Sequence, residues 1–515
     1  MFDATLFVRA FAFWRLVQLA GMDPVAEQRW QLSQLVRQAA ATRFGKDHGF
    51  SRISTVADFQ AQVPLRRYED FWRDYWKPTF PRLEDCTWPG VIPFFALTSG
   101  TASGETKYIP CSRAMVRANR RGALDLLAFH VSNRPESRAL GGVTFMLGGS
   151  TDLAELALGI RAGDLSGIET AEIPRWARPY CFPPPEYALL ANWEEKINRL
   201  APLSLEQDVR IITGTPSWLL IFFDKLAALR PSSGGRLADF YPNLELLVHG
   251  GVHFAPYRQR FRELLEGSHA ETREAYAASE GFVAAADRGD GEGLRLVVDN
   301  GLFFEFVPVS DLSDQKPRRF WLADVECGVE YALVVSNCAG AFAYILGDTV
   351  RFLETQPPRI VVTGRTSYTL SGFGEHLIDA EIEEAVTRAA GTIGAAIADY
   401  SVGPFFSEKA GELGGHVYIV EFLGGVPDDA GLRQFGRALD EALVATNADY
   451  RSHRAEGFGL RSPMIESVPP GTFAAWMKSR GQLGGQHKVP RIINDPELLR
   501  NLRDFARRTE FHALS

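Results

Sequence analysis

The feature that most limits how this chain can fold is a repeated alternation. GGVTFMLGG (141–149), VRIITG (209–214) and LELLVHGG (244–251) are short apolar runs that end in glycine. Between them lie longer stretches with apolar residues at helical spacing, such as PSWLLIFFDKLAAL (216–229). Short apolar runs bounded by turn residues read as buried strands, and their alternation with helices predicts an α/β architecture. VIPFFALT (91–98) reads as one more strand, and the stretch from Ser112 to about His130 as a helix.

The pattern changes twice. From about Thr272 to Val362, LRLVVD, LFFEFVPV, RFWLADV, EYALVVS, VRFLE and RIVVTG follow one another with little helix between them. That predicts an antiparallel sheet or barrel attached to the α/β part. GRTSYTLSGFGEHLIDAEIEEAVTRAAG (364–391) then reads as a boundary, with a helix starting near Asp379. A strand, GHVYIVEFL, and a long amphipathic helix within 428–450 follow it, enough for a small α+β domain. The expectation is a large N-terminal α/β domain (1–370) with an attached β-rich, barrel-like part, and a small mobile C-terminal α+β domain (371–515).

Composition excludes several functions. The 515 residues are 46% hydrophobic, enough for a large core, and the formal charge of −8 opposes a nucleic-acid or anionic-membrane surface. Five scattered cysteines with no Cys-x-x-Cys pair suit buried thiols in a reducing compartment. The ten histidines show no metal-binding spacing. MFDATLFVRAFAFWRLVQLAG is apolar, but Asp3, Arg9 and Arg15 interrupt it, so it reads as an amphipathic helix packed on the core rather than a signal or a membrane span. A cytoplasmic monomer without nucleic-acid or membrane partners is expected.

One loop is unusually rich. In FFALTSGTASGETKYIP (94–110), Gly100 and Gly104 allow close backbone approach, while Thr98, Ser99, Thr101 and Ser103 supply hydroxyls. Lys107, one of nine lysines in the chain, follows. Between a strand and a helix, such a loop makes an anion-binding concavity. It is not a Walker A loop, because Lys107 lies three residues past Gly104. Its composition fits either a phosphate cradle or an ordinary strand-to-helix loop with a solvated lysine.

TSGTASGETKYIP resembles the phosphate-binding loop of the auxin-responsive acyl acid–amido synthetases, a family within the adenylate-forming superfamily of acyl-CoA synthetases and firefly luciferase. Further islands match in family order: YAASEG (276–281), NGLFFEFVP (300–308), YILGDTVRF (344–352), the GRTSYTLSGFGEHL crossover and GGQHKVPR (484–491). The chain departs from the family pattern at Ala102, at Ala343 and Ile345 where cations are expected, and at His376 where lysine is common.

The resemblance implies an ATP-dependent ligase. It adenylates a small carboxylic acid, releasing pyrophosphate, and passes the acyl group to an amine, an amino acid in most of the family. Ser99, Gly100, Thr101 and Lys107 would hold phosphates, and Glu280 would hold Mg²⁺. Tyr276 would lie against the adenine and Asp348 would accept the ribose hydroxyls. Arg365 would contact nucleotide at the crossover, and Lys488 would bring a cation to the triphosphate. Taken without the resemblance, Tyr276 also reads as core, Glu280 as a surface carboxylate, Asp348 as a turn residue, Arg365 as a hinge salt bridge and Lys488 as a solvated lysine. Two other functions share these motifs: an acyl-CoA or carrier-thiol ligase, and a non-catalytic adenylate-binding sensor.

Overall fold

The computed structural model describes the whole chain except residues 1, 100–105, 149–152, 189, 191–192, 232–233, 252–253, 255–256, 313, 366–368, 371–376, 406–413, 448–449, 452–453, 455–459, 483–487 and 513–515. The chain divides into two compact units, Met1–Val362 and the remainder beginning at Thr363. The sequence reading had set that division at 370/371.

In the first unit, a four-stranded sheet has the order β2–β1–β5–β4, with β1 Phe94–Ser99, β2 Thr106–Cys111, β4 Ala154–Ala157 and β5 Ile160–Gly163. A twelve-stranded sheet begins with β3 (Val143–Leu147), β6 (Cys181–Phe182), β7 (Val209–Gly214), β8 (Leu246–His249) and β9 (Glu271–Ala278), which run parallel. Of these, β3, β7 and β8 are the glycine-closed runs of the sequence, while β9 starts the stretch that was expected to be antiparallel and pairs parallel with β8. Helices Trp193–Ser204 and Pro216–Leu229 cover one face, where Phe145, Ile212 and Leu247 meet Leu200, Phe222 and Leu226.

The β-rich segment is joined edge to edge to those parallel strands. β9 turns into antiparallel β10 (Gly281–Ala285), and beyond it the order runs β11 (Leu294–Leu296), β16 (Pro358–Arg365), β15 (Tyr344–Thr355), β14 (Glu330–Asn337), β12 (Leu302–Pro308) and β13 (Phe320–Trp321). Every residue of β12 is buried, so the strand reads as a continuous apolar run. Its one carboxylate, Glu305, is held by Arg319 Nη2 at 2.8 Å.

Helix α1 (Thr5–Ala20) buries Val8, Ala12, Arg15 and Leu19 and packs on helix Arg113–Asn133. Arg15 lies between two buried carboxylates, Asp125 at 2.6 Å and Asp299 at 2.7 Å. These partners are far away in sequence, so the arginine that seemed to interrupt the apolar run is part of its buried face. Among the described residues no helix is long and apolar enough to cross a membrane.

The second unit has a three-stranded sheet of β19 (Ala396–Phe405), β20 (Gly415–Leu423) and β21 (Met464–Val468), and a two-stranded one of β17 (Thr369–Leu370) and β18 (Leu377–Ile378). Alternate residues of β20 serve two cores: Tyr418 and Val420 join helices Asp379–Thr392 and Asp429–Thr446, while Val417 and Ile419 join Phe473, Trp476 and Met477. A strand covered on both faces reads as continuously apolar, as GHVYIVEFL does.

Candidate active site

The loop that opened the functional argument connects two strands, not a strand and a helix. β1 and β2 pair antiparallel, with Thr98 opposite Lys107 and Ser99 opposite Thr106. The helix Arg113–Asn133 begins only after β2, capped by Ser112, whose Oγ accepts the Met115 amide at 3.1 Å. The extra strand forms because Tyr108 packs against Phe80 and stacks on Trp72, whose ring lies 5.9 Å away. Gly100 and Thr101 lie outside the described residues. Ser99 ends β1, and its side chain is outside the description.

Lys107 faces groups that the motif search did not single out. Its Nζ lies 3.1 Å from Glu69 Oε1 and 5.1 Å from the centre of the Tyr68 ring. Both partners come from the short helix Tyr68–Phe71, and the Tyr68 hydroxyl accepts the Tyr108 amide at 2.9 Å, fixing helix to strand. Burial alone would raise the Glu69 carboxyl. Its own backbone amide and the Lys107 ammonium outweigh that and hold it below the usual range.

Glu280 sits at the tip of the β9–β10 hairpin and is buried. The turn requires glycine next: Gly281 has φ +145°, and a Cβ there would lie 2.9 Å from Leu302 Cδ2. The hairpin is tied down by Asn337, whose Nδ2 donates to the Glu280 carbonyl at 2.9 Å. The Tyr344 phenol, on β15, lies close enough to the Glu280 carboxylate to feel its charge. Burial first, and then the Glu280 charge, push that phenol well above its ordinary range, and Glu69 and Tyr68 act on it too.

Tyr276, on β9, donates its hydroxyl to Asp348 Oδ2 on β15, joining two candidate residues 72 positions apart. Asp348 is buried and Tyr276 half-buried, so neither is the surface turn residue or the fully enclosed core residue that were the plain alternatives. Ala343 is fully buried at φ +49°, with its amide donated to Ser336 Oγ at 2.8 Å. An arginine side chain has no solvated path from that position, which accounts for the missing cation there.

The structure pairs Tyr276 with Asp348 and sets Lys107 against Glu69 and Tyr68, while Tyr344 lies near Glu280; Tyr68, Glu69 and Tyr344 are residues that sequence reasoning missed. Tyr344 had a signal, since it lies four residues before Asp348 in the matched YILGD island; Tyr68 and Glu69 had none. Arg365 ends β16, its side chain outside the description. Lys488 is exposed and belongs to the other unit. Among the described residues no group of three or more His, Cys, Asp or Glu is arranged to hold a metal ion. A single carboxylate such as Glu280 suits Mg²⁺, which takes one or two protein carboxylates and completes its shell with water and substrate phosphate.

The fold is shared with solved enzyme structures. A 2-hydroxyisobutyryl-CoA ligase in its postadenylation state superposes with a TM-score of 0.60 at 15% identity, over 93% of this chain and 90% of that one. A GH3.15 acyl acid amido synthetase superposes with a TM-score of 0.78 at 17% identity, over 95% and 94%. Residues 16–152, 295–365 and 380–497 match the GH3 family N-terminal, central and C-terminal domains, and the chain belongs to the GH3 family. It is 26% identical over 334 residues to the indole-3-acetic acid-amido synthetase GH3.3 of Arabidopsis thaliana, covering 59% of this chain and 55% of that protein. It is 31% identical over 219 residues to the indole-3-acetic acid-amido synthetase GH3.8 of Oryza sativa subsp. indica, covering 39% and 35%. The chain thus spans about half the length of the first of these relatives and about a third of the second.

Proposed function

We propose that the protein is an ATP-dependent acyl acid–amido synthetase: it converts a small carboxylic acid to its acyl adenylate with release of pyrophosphate, and passes the acyl group to an amine, an amino acid in this reading. The observation that carries the proposal is the bonded pair Tyr276–Asp348, made between β9, which leads into Glu280, and β15, which also carries Tyr344. A carboxylate is a poor electrophile because its charge is shared by two oxygens. Joining it to AMP gives an anhydride with a good leaving group, which a free amine attacks.

Each residue has a task in that chemistry. The Lys107 ammonium leaves Glu69 for the phosphates and offsets charge developing at the α-phosphate. Ser99, Gly100 and Thr101 belong to the same cradle by their motif. Glu280 would hold Mg²⁺, which would supply positive charge against the phosphates. Asp348 accepts the ribose hydroxyls, with the Tyr276 ring beside the base. Arg365 and Lys488 enter through their family segments, Lys488 as the cation for adenylation. Residues 1–370 are assigned ATP and acid binding, and 371–515 the mobile part. The five cysteines are free, in keeping with a cytoplasmic setting.

ATP–pyrophosphate exchange over a panel of carboxylic acids tests the first half-reaction. Mass detection of amide products with each amino acid, with and without coenzyme A, tests the second. Exchange without amide formation, but with a coenzyme A thioester, would replace this reading by a thiol ligase. Nucleotide binding without exchange for any acid would replace it by a sensor.

A further inference from the structure

Helix α1 carries two seams at helical spacing, and the outer one is wholly apolar. The inner one, Val8, Ala12, Arg15 and Leu19, is buried against the fold. The outer one, Leu6, Ala10, Phe13 and Val17, has the same four–three–four spacing and faces away from the first, at about 100° per residue. Phe7 and Trp14 flank it, and the Phe2 ring lies 6.1 Å from that of Phe7. The six large side chains of this patch are 59–75% exposed, an unusual density for a soluble surface.

We propose that this outer seam is the interface of a homodimer in which α1 packs on α1 of a second copy. Three observations select that occupant. Apolar residues alternating at intervals of four and three are the spacing by which one helix presents knobs to another, and Ala10 lets two helix axes approach closely. The exposed surface of the six side chains amounts to roughly 800 Å², about what each partner contributes to a standard specific interface. The seam has no charged residue, and the chain carries −8, so nothing here recruits an anionic lipid surface. A self-complementary uncharged stripe suits a two-fold pair, in which the same patch serves both copies. The inference replaces the sequence expectation of a monomer. It is independent of the proposed chemistry, because none of these residues belongs to the candidate active site.

Sedimentation equilibrium of the full chain from about 0.1 to 100 μM tests it, the range spanning the affinities usual for an interface of this size. The parent should show a reversible monomer–dimer equilibrium, and Phe13→Glu should weaken it at least 100-fold while keeping the parent's circular dichroism. Leu158→Glu, a control at an exposed leucine on the β4–β5 turn, should leave the equilibrium unchanged. Should Phe13→Glu fail to fold, the milder Leu6→Ser, Val17→Ser pair carries the same test. A parent that stays monomeric throughout, or a folded Phe13→Glu variant that dimerises like the parent, overturns the proposal. So does a monomeric parent that co-sediments with phosphatidylcholine–phosphatidylglycerol vesicles, which would assign the stripe to lipid.

Discussion

Removing one oxygen, in Tyr276→Phe, separates the role of the Tyr276 hydroxyl from that of its ring. The substitution deletes only the donor to Asp348 Oδ2. A hydrogen bond to a charged group contributes about 1.5–3 kcal/mol, and a buried carboxylate that loses its donor either reorients or seeks another. A carboxylate has about four lone-pair sites, so Asp348 can accept the phenol and both ribose hydroxyls together. If the phenol holds Asp348 in the orientation the ribose needs, its loss should raise KM for ATP roughly 10-fold, equivalent to about 1.4 kcal/mol, while kcat changes much less.

The informative assay is pyrophosphate exchange with ATP and with 2′-deoxy-ATP, on parent and variant. The parent should favour ATP, because the deoxy sugar leaves an acceptor on Asp348 unused. The variant should lose most of that preference, since the carboxylate is no longer set for either sugar. A variant with the parent's KM and the parent's preference would refute the reasoning and leave Tyr276 as a ring beside the base. A parent that ignores the 2′-hydroxyl would instead remove Asp348 from the ribose site.

Other outcomes follow from the same geometry. Lys107→Ala should lower pyrophosphate exchange by about 100-fold, yet shift the unfolding midpoint little, because its Glu69 partner is 64% exposed and such pairs contribute under about 1 kcal/mol. Glu280→Gln should raise the Mg²⁺ midpoint of exchange about 10-fold with the fold intact, since the amide keeps the size and shape of the side chain but is a weaker ligand for a hard dication. Acid stability should report the buried cluster around His130, which contacts Glu271 at 2.6 Å, while Glu245 accepts the Arg138 amide at 2.9 Å. Burial opposes ionisation of both glutamates, but their hydrogen bonds depress each from 4.5 to about 2. Their stabilisation, roughly 3 kcal/mol each and less than additive through the shared histidine, is present above about pH 4.5 and lost towards pH 2. Burial lowers His130 while the two carboxylates raise it further, so its own contribution is complete below its unfolded value and fades as pH rises through the folded one. Urea midpoints measured against pH should fall on the acid side, and Glu271→Gln should flatten that fall.

What the sequence revealed depended on how local the cause was. β3, β7 and β8 were legible because a buried strand needs an unbroken apolar run, and glycine marks where it stops; β6 is too short to show one, and the charged start of β9 hid its parallel pairing with β8. The helices after Ser112 and from Asp379 were legible as well, the first capped in the structure by the Ser112 side chain. β2 was missed because KYIPC has no clear period; its pairing with β1 and the aromatic floor of Trp72 and Phe80 make it a strand. Arg15 looked like an interruption because Asp125 and Asp299 lie far along the chain. The motif residues of the site could be named one by one, but Glu69 and Tyr68 could not, and Tyr344 showed only its place in the matched YILGD island. Their roles arise from contacts between a short helix, a hairpin and a distant strand.

The Tyr276–Asp348 bond also constrains the sheet that carries it. From β9 to β15 the strand order passes through β10, β11 and β16, four steps of about 4.8 Å, so a flat sheet would hold the two strands roughly 19 Å apart. A tyrosine, an aspartate and the bond between them reach only about 12 Å from backbone to backbone. The sheet must therefore bend back on itself between β9 and β15, and the shortest strand of that stretch lies within the bend: β11 spans only Leu294–Leu296 and pairs with β16 through two residues. This curl gives physical content to the barrel-like character read from the run of short strands. Without it, the end of the parallel sheet, carrying Tyr276 and leading into Glu280, would not meet the antiparallel strand that carries Tyr344 and Asp348. The change from parallel to antiparallel at the β9–β10 hairpin is thus what assembles the candidate site.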